Sequence, residues 1–584
     1  MMRASLTLLL LLHLLTACGL AAGRPNSPAV SPSPTTTTIA PTGDLPLATP
    51  TTTGPEASPS PLPPSPSPMP TETATAVPPA ADLSISTGGV YFYPAPVLYA
   101  GDDVSLQLFA QIPEAIAPDS VQVHVSIDGT RVVDGTLGRR NLAGEAIGLF
   151  EWFWESEGRP GDHTVQIILD PLDTISEGDE NPDNNQLTLT LPVLPAIATH
   201  PTWVTAETTC CTLHVVSSTA AHRDLSGLLG LVEAAVGQAR QKLIEEPDRK
   251  LNVYLIDRVI GHGGYAGSSM VVSYLDRDYA GDGLYEVLVH EATHLIDYEF
   301  APGRIAFLAE GVAVWATGGH YKPENPDQRV AALVETGRYL PLRSLIDDFY
   351  PTQHEIGYAE AAGFVHYVVA LYGWPAVRAF YSEVTADDAP TPAGAVDTNL
   401  QSHFGKPLDQ VESEWLTYLD RLPYDRTAVP DLETSLRYYD VMRAYQQQFD
   451  PTAYFLTAWL PAPEAAEERG LTADFTRHPQ SDVHVALETM LIAADKALRA
   501  GDYGRANVLL DSVERVLKYQ GAFIDPLSLH YLNLTQTVAR MGYQVQQIEL
   551  DGGRAIVLAN NPPLDATLRQ LTLFLNDQTW NLAR

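Results

Sequence analysis

The sequence is poor in cysteine. Its 584 residues hold three, Cys18 and the adjacent pair Cys210 and Cys211, and neighbouring cysteines cannot staple distant segments, so no disulfide framework holds this fold together. Positive charge is also scarce. Lys plus Arg number 35 against 71 Asp plus Glu, a formal charge of -36; because phosphate recognition depends on Lys and Arg, nucleic acid is excluded as a partner. No apolar run reaches transmembrane length, and the stretch from Leu6 to Leu15 is too short to span a bilayer. A G-x-S-x-G elbow and a cysteine with a suitable nucleophile neighbourhood are both missing outside the terminal Cys18 and the Cys pair, which removes those routes to covalent catalysis.

What is present begins with an address. Arg3, the short apolar run and the small residues before Cys18 read as a cleaved export signal over residues 1–17. Leu15-Thr16-Ala17-Cys18 resembles the lipobox of bacterial lipoproteins. That resemblance implies lipidation at Cys18, a membrane anchor of acyl chains and a place in the cell envelope outside the cytoplasmic membrane; an ordinary signal peptide with a chance cysteine is the alternative. Residues 18–82, built from about residue 24 almost wholly of Pro, Ser, Thr and Ala, cannot bury enough apolar surface to fold. They read as a stalk, extended by proline to at most about 180 Å.

Roughly 500 residues remain, which suggests three domains as a prior. Over 83–195, Val121, Val123, Val125 and Ile127 alternate with polar residues and run into Asp128-Gly129, a hairpin turn. Val104, Leu106 and Leu108 alternate likewise, as do Leu187, Leu189, Leu191 and Val193, so the segment reads as a β-sandwich. Its end, DTISEGDENPDNNQLTLTLPV, resembles the CARDB-type immunoglobulin-like domains of bacterial surface proteins, which implies a spacer or adhesion module. Asp179, Glu180 and Asp183 are open to two readings, a calcium site or a solvated acidic turn.

From 200 to 425 the pattern is mixed α and β. CTLHVVSS, KLNVYLID and SMVVSYLD read as strands, residues 222–244 as an amphipathic helix, and GHGGYAG as a loop. Cys210 and Cys211 read as a structural pair at a strand entry, where a bond between the two would be strained. Then comes LYEVLVHEATHLIDYEF. Residues four apart on a helix are separated by about 40° and roughly 6 Å, so His290 and His294 share one face and can chelate one metal, with Glu291 beside it as a base. Apolar Val287, Leu288, Val289, Leu295 and Ile296 bury the helix. FLAEGVAVWA follows as a second apolar helix carrying Glu310.

HEATH followed by LAEGVAVWA resembles the gluzincin metallopeptidases, in particular the peptidase-MA-like group. The resemblance implies an α+β zincin-type fold, Zn2+ held by His290, His294 and Glu310, Glu291 as general base, and a peptide or protein substrate. It further implies that Val271–Tyr274 supplies the edge strand that binds peptide. YAEAAGFVHYVVALYGW resembles the family's later helix, which makes Tyr358 the candidate donor to the oxyanion, with His366 and His354 in reserve. Two features depart from the pattern. Where many gluzincins carry an acidic residue four positions after the ligand glutamate, this chain has Val314; Asp297 is the substitute for orienting a histidine. His320, in ATGGHYKPENP, reads as an exposed loop residue.

Residues 430–584 read as a mainly α-helical accessory region with a C-terminal β-hairpin segment. Two amphipathic helices flank Ala500-Gly501-Asp502-Tyr503 like a single tetratricopeptide unit, which is too few for a solenoid, and a hairpin centres on Asp551-Gly552-Gly553. The whole is a multidomain chain: β-sandwich, α+β domain, helical region. The expected function is a cell-surface zinc metallopeptidase; the alternative is a catalytically degenerate peptidase fold that binds protein or glycan. The sequence carries no reading of oligomeric state.

Overall fold

The computed structural model describes residues 82–583 apart from 93–97, 103–104, 114, 139–145, 151–158, 197–199, 262, 282, 321, 351, 424, 456–457, 459, 477 and 562–564. The expected export signal, the expected lipidation site Cys18 and the expected stalk lie outside the described residues, apart from Asp82 at the stalk's end. Among those described, no helix is long and apolar enough to cross a membrane.

Eight strands come first among the described residues: β1 (Ser84–Phe92), β2 (Leu98–Tyr99), β3 (Leu106–Gln111), β4 (Gln122–Ile127), β5 (Thr130–Thr136), β6 (Ala146–Phe150), β7 (Gly161–Leu169) and β8 (Gln186–Leu194). They form two sheets, β1-β3-β6 and β2-β8-β7-β4-β5. The alternation explains the packing. Val121, Val123, Val125 and Ile127 are at most 3% exposed and meet Leu108, Val165, Ile167 and Val193 in one core between the sheets. Asp128 and Gly129 both take positive φ, 49° and 75°, the conformation that lets a two-residue turn close β4 onto β5 with Ile127 facing Thr130.

A five-stranded sheet follows in the order β12-β13-β11-β10-β9, from β9 (Trp203–Glu207), β10 (Cys211–Val216), β11 (Leu251–Ile256), β12 (Gly264–Ala266) and β13 (Met270–Ser273). β10, β11 and β13 run parallel, while β9 and β12 pair antiparallel at the two edges. The MVVS of β13 is buried throughout, and a continuous apolar run belongs to a strand covered on both faces. The expectation that Val271–Tyr274 forms the edge is therefore corrected: the edge is β12, inside the glycine-rich stretch read as a loop. Cys210 and Cys211 are joined to each other at the entry to β10, the strand-entry position expected of a structural pair.

Helix α1 (Ala220–Leu243), capped by the Thr219 hydroxyl on His222 N, connects β10 to β11. Then come α2 (Leu284–Phe300), α3 (Ala306–Thr317), α4 (Pro326–Glu335), α5 (Leu342–Asp347), α6 (His354–Tyr372), α7 (Trp374–Glu383), α8 (Pro392–Phe404) and α9 (Leu408–Leu419). The remainder holds α10 (Ala428–Phe449), α11 (Pro463–Glu468), α12 (Asp482–Arg499), α13 (Tyr503–Lys518) and α14 (Pro526–Ala539). The chain ends in an antiparallel sheet of β14 (Gln544–Asp551), β15 (Arg554–Asn561), β16 (Asp565–Asn576) and β17 (Thr579–Leu582). One buried core runs from Cys211 through α2, α3 and α6 to Trp580, so the helical region completes the core of the mixed region. Polar links reinforce it: Tyr438 OH donates to Tyr279 O at 2.7 Å, and buried Arg277 donates to Glu488 Oε2 at 2.5 Å.

Candidate metal centre

Helix α2 is apolar on nearly every side, so its chemistry-bearing residues are buried with it. His290 and His294 are each 3% exposed, and Glu291 and Glu310 are fully buried. Helix α3 returns Glu310 to the pair because α3 packs hard against α6 at Gly311. A Cβ there would sit 2.6 Å from Ala361 O, so the glycine after Glu310 is what lets the helix carrying the glutamate approach.

Three donor atoms converge. His290 Nε2 and His294 Nε2 lie 3.1 and 3.2 Å from Glu310 Oε2 and 3.0 Å from each other. Ligands about 2.0–2.1 Å from a tetrahedral ion stand about 3.3 Å apart, so these spacings fit a zinc-sized ion. Among the described residues these three are the one such set of His, Cys, Asp or Glu. Burial pushes the Glu310 carboxyl up, but the charges and hydrogen bonds of His294 and His290 outweigh it and hold it far below the usual range. Glu291 goes the other way: burial, then the charge of Glu310, raises it well above an ordinary carboxyl. Among the described residues, neither Glu291 oxygen has a hydrogen-bond partner.

Edge strand β12 crosses this helix at Glu291. A Cβ on Gly264 would meet Val287 Cγ1 at 2.8 Å and Glu291 Cγ at 3.4 Å, so only glycine allows the strand so near the carboxylate. Opposite stands an aromatic wall. The Tyr358 ring is fully buried and centred 6.3 Å from the His290 ring. His320 stacks on it at 4.6 Å, while Phe349 and His354 each lie at 5.3 Å. Phe455, between α10 and α11, reaches the His354 ring at 4.4 Å.

Three sequence expectations change here. His320 is not exposed but 4% accessible, its imidazole pushed well below its usual value by burial and by the nearby His290 and His354. His366 is held outside this group, with Nδ1 2.9 Å from Asp327 Oδ1. Asp297 does not orient His290 or His294: Tyr381 OH donates to its Oδ2 at 2.6 Å, and Arg304 stands 3.2 Å from its Oδ1, while His294 Nδ1 is buried without a partner among the described residues. Sequence reasoning also missed Tyr350, whose hydroxyl donates to Glu310 Oε1 at 3.4 Å. For His320 a signal existed. Gly318 and Gly319, with φ of 88° and 153°, turn the chain at the end of α3, so that the next residue folds back over the helix bearing Glu310.

No protein-family model matches the chain, and no curated protein matches it. Solved structures do. A CARDB domain from Pyrococcus furiosus in complex with di-metal ions is 18% identical over 20% of this chain and 90% of its own, with a TM-score of 0.16. A cell-surface protein domain from Methanosarcina acetivorans is 21% identical over 20% and 97%, again at 0.16. An M1 zinc metallopeptidase from Deinococcus radiodurans is 13% identical over 58% of this chain and 96% of its own, at 0.26. At these scores the likenesses carry no functional weight, and the converging donors and the unpartnered glutamate bear it alone.

Proposed function

We propose that the chain is a zinc-dependent peptidase, exported and held at the cell surface by a lipid anchor on Cys18, with the stalk extending its folded part from the envelope. The observation that supports this reading is the convergence of His290 Nε2, His294 Nε2 and Glu310 Oε2 beside a buried carboxylate, Glu291, that nothing else uses. The residues fit zinc in number, spacing and type, two imidazoles and a carboxylate. When bound there, zinc supplies Lewis-acid polarisation of a carbonyl, a lowered pKa for water and a positive charge that favours the ionised form of Glu291.

The chain's own residues then divide the work. A peptide lies along β12 in the extended form an edge strand pairs with, its scissile carbonyl brought over Glu291. Glu291 takes the proton of the attacking water and returns it to the departing amine, so the carboxylate is restored at the end of the cycle. Tyr358, in the wall facing His290, donates its hydroxyl proton in a hydrogen bond to the carbonyl oxygen as that oxygen gains charge. The aromatic wall excludes water.

A second reading, a degenerate fold that binds protein or glycan without cleaving it, is favoured by the unpartnered Nδ1 of His294, since ligand histidines usually have that atom fixed. Two measurements on the mature chain separate the readings. Elemental mass spectrometry should find about one zinc per chain, lost in His290→Ala/His294→Ala. Glu291→Gln should keep the zinc and lower hydrolysis of a peptide library by about 10²–10⁴. No zinc in a folded parent after incubation with the metal refutes the centre; zinc without any cleavage that Glu291→Gln reduces refutes the peptidase and leaves the binding module.

A further inference from the structure

The loop between β7 and β8 gathers oxygen donors against Asp82, the residue leading into β1. Leu83 N donates to Gly178 O at 3.1 Å, which draws the two segments together. Asp82 Oδ1 accepts from Glu180 N and Oδ2 from Asn184 Nδ2, both at 2.8 Å, and Asp179 Oδ2 accepts from Asn185 Nδ2 at 2.7 Å. An ionised carboxylate only accepts, so each carboxamide is oriented: its nitrogen faces the carboxylate and its oxygen faces elsewhere.

Those oxygens have no donor. Asn184 Oδ1, Asn185 Oδ1 and the remaining Asp179 oxygen, Oδ1, are all shielded from solvent and unpartnered among the described residues, and Asn185 as a whole is 4% exposed. Buried acceptors left unpaired are costly, and a fold retains three in one loop only if something satisfies them. Charge points the same way. Burial raises the Asp179 carboxyl despite its bond to Asn185, and the charges of Asp82, Asp170 and Asp173 add to the rise.

We propose that this loop binds one hard divalent cation, Ca2+, through oxygens of Asp179, Asn184 and Asn185, with Asp82 completing the anionic shell. The donor set is all oxygen, without the nitrogen or sulfur that selects zinc or copper. Carboxylate and carboxamide oxygens in an irregular loop suit calcium, which accepts six to eight oxygens at about 2.3–2.6 Å in flexible geometry, better than magnesium, which demands a near-ideal octahedron. Only part of the acidic motif takes part: Glu180 contributes its backbone N–H to Asp82, and the side chains of Glu180 and Asp183 face solvent. The ion would tie β1, in one sheet, to the segment entering β8, in the other, at the point where the proline-rich stretch joins the fold.

The test is equilibrium dialysis of the mature chain against ⁴⁵Ca2+, with thermal unfolding followed in parallel. About one Ca2+ per chain is expected, with a Kd near 10⁻⁴–10⁻³ M, the range of extracellular modules, and an unfolding transition that rises with calcium. Asp179→Asn should weaken binding by at least about tenfold. Asn184→Ala, at a half-buried position, should do the same and guards against misfolding of the first variant. Glu180→Gln, which removes a neighbouring charge but no proposed ligand, should bind within about twofold of the parent, and His290→Ala/His294→Ala should bind fully, separating this site from the zinc centre. No saturable binding up to about 10 mM, or unchanged binding in both Asp179→Asn and Asn184→Ala, overturns the proposal.

Discussion

Gly311→Ala tests how Glu310 is placed. The new Cβ would stand 2.6 Å from Ala361 O and 2.8 Å from Val365 Cγ2. The valine can rotate, but the backbone oxygen cannot. Ordinary contact begins near 3.4 Å, so α3 and α6 must part by up to 0.8 Å (3.4 − 2.6). Overpacking of this kind costs about 1–3 kcal/mol, against a gain of roughly 1 kcal/mol from replacing a helical glycine with alanine. The net should be destabilising by up to about 2 kcal/mol. Because Glu310 is the adjacent residue, its Oε2 should shift relative to the histidines it meets at 3.1 and 3.2 Å, and zinc affinity should fall at least about tenfold, as when a ligand's support is lost. The assay is denaturant unfolding together with competition against a zinc chelator. Two controls bracket it. Gly363→Ala clashes with Val330 Cγ2 at 2.6 Å and Trp415, so it should cost stability and spare zinc. Gly230→Ala, with open space around it, should gain about 0.4–1 kcal/mol. A Gly311→Ala protein as stable as the parent, with unchanged zinc affinity, would refute the account of why a glycine follows the ligand.

Two further outcomes follow from buried charge. Glu360 is buried, accepts from Leu340 N at 2.9 Å through one oxygen and has no partner among the described residues on the other; burial raises its carboxyl to about 9. The folded state therefore holds a proton that the unfolded chain releases above about pH 4.5, so this group's contribution is full at low pH and is lost as pH rises toward 9. Glu360→Gln should remove that slope, and its stability advantage over the parent should grow by about 2–4 kcal/mol between pH 5 and pH 8, read from urea midpoints; an advantage that stays constant with pH would show the carboxyl ionised in the fold. Arg443, on α10, pairs with fully buried Glu355 at the start of α6 through both terminal guanidinium nitrogens, Nη1 and Nη2. Arg443→Met should cost about 3–5 kcal/mol by stranding that charge, and adding Glu355→Gln should recover part of the loss in a double-mutant cycle; equal loss in the single and double variants would show that packing, not charge, is at stake.

What the sequence discloses of the candidate metal centre, and what it hides, follow from the range of the interactions. His290, Glu291 and His294 are set by a single helix, whose pitch alone brings i and i+4 together, so their grouping is readable before any tertiary contact is known. Glu310 needs one turn between two apolar helices and remains within reach. The alternation around Val123 and Asp128-Gly129 is legible for the same reason. The residues that were misjudged depend on tertiary context instead. β12 is three residues of a glycine-rich stretch whose strand character exists only against β13, while the apolar run of β13 signals burial on both faces and hence the sheet interior. Asp297 sits where an orienting carboxylate was expected, but Arg304 and Tyr381 from other elements claim it. His320 carries the local marks of a surface loop, and it is buried because Tyr358, from a helix nearly forty residues on, offers it a ring. The same contrast separates Asp179 from Glu180. Adjacent in an acidic motif, they differ in that only Asp179 is met by an amide whose other end is buried, and that is why a charge count across the loop says nothing of a site while the orphaned oxygens do.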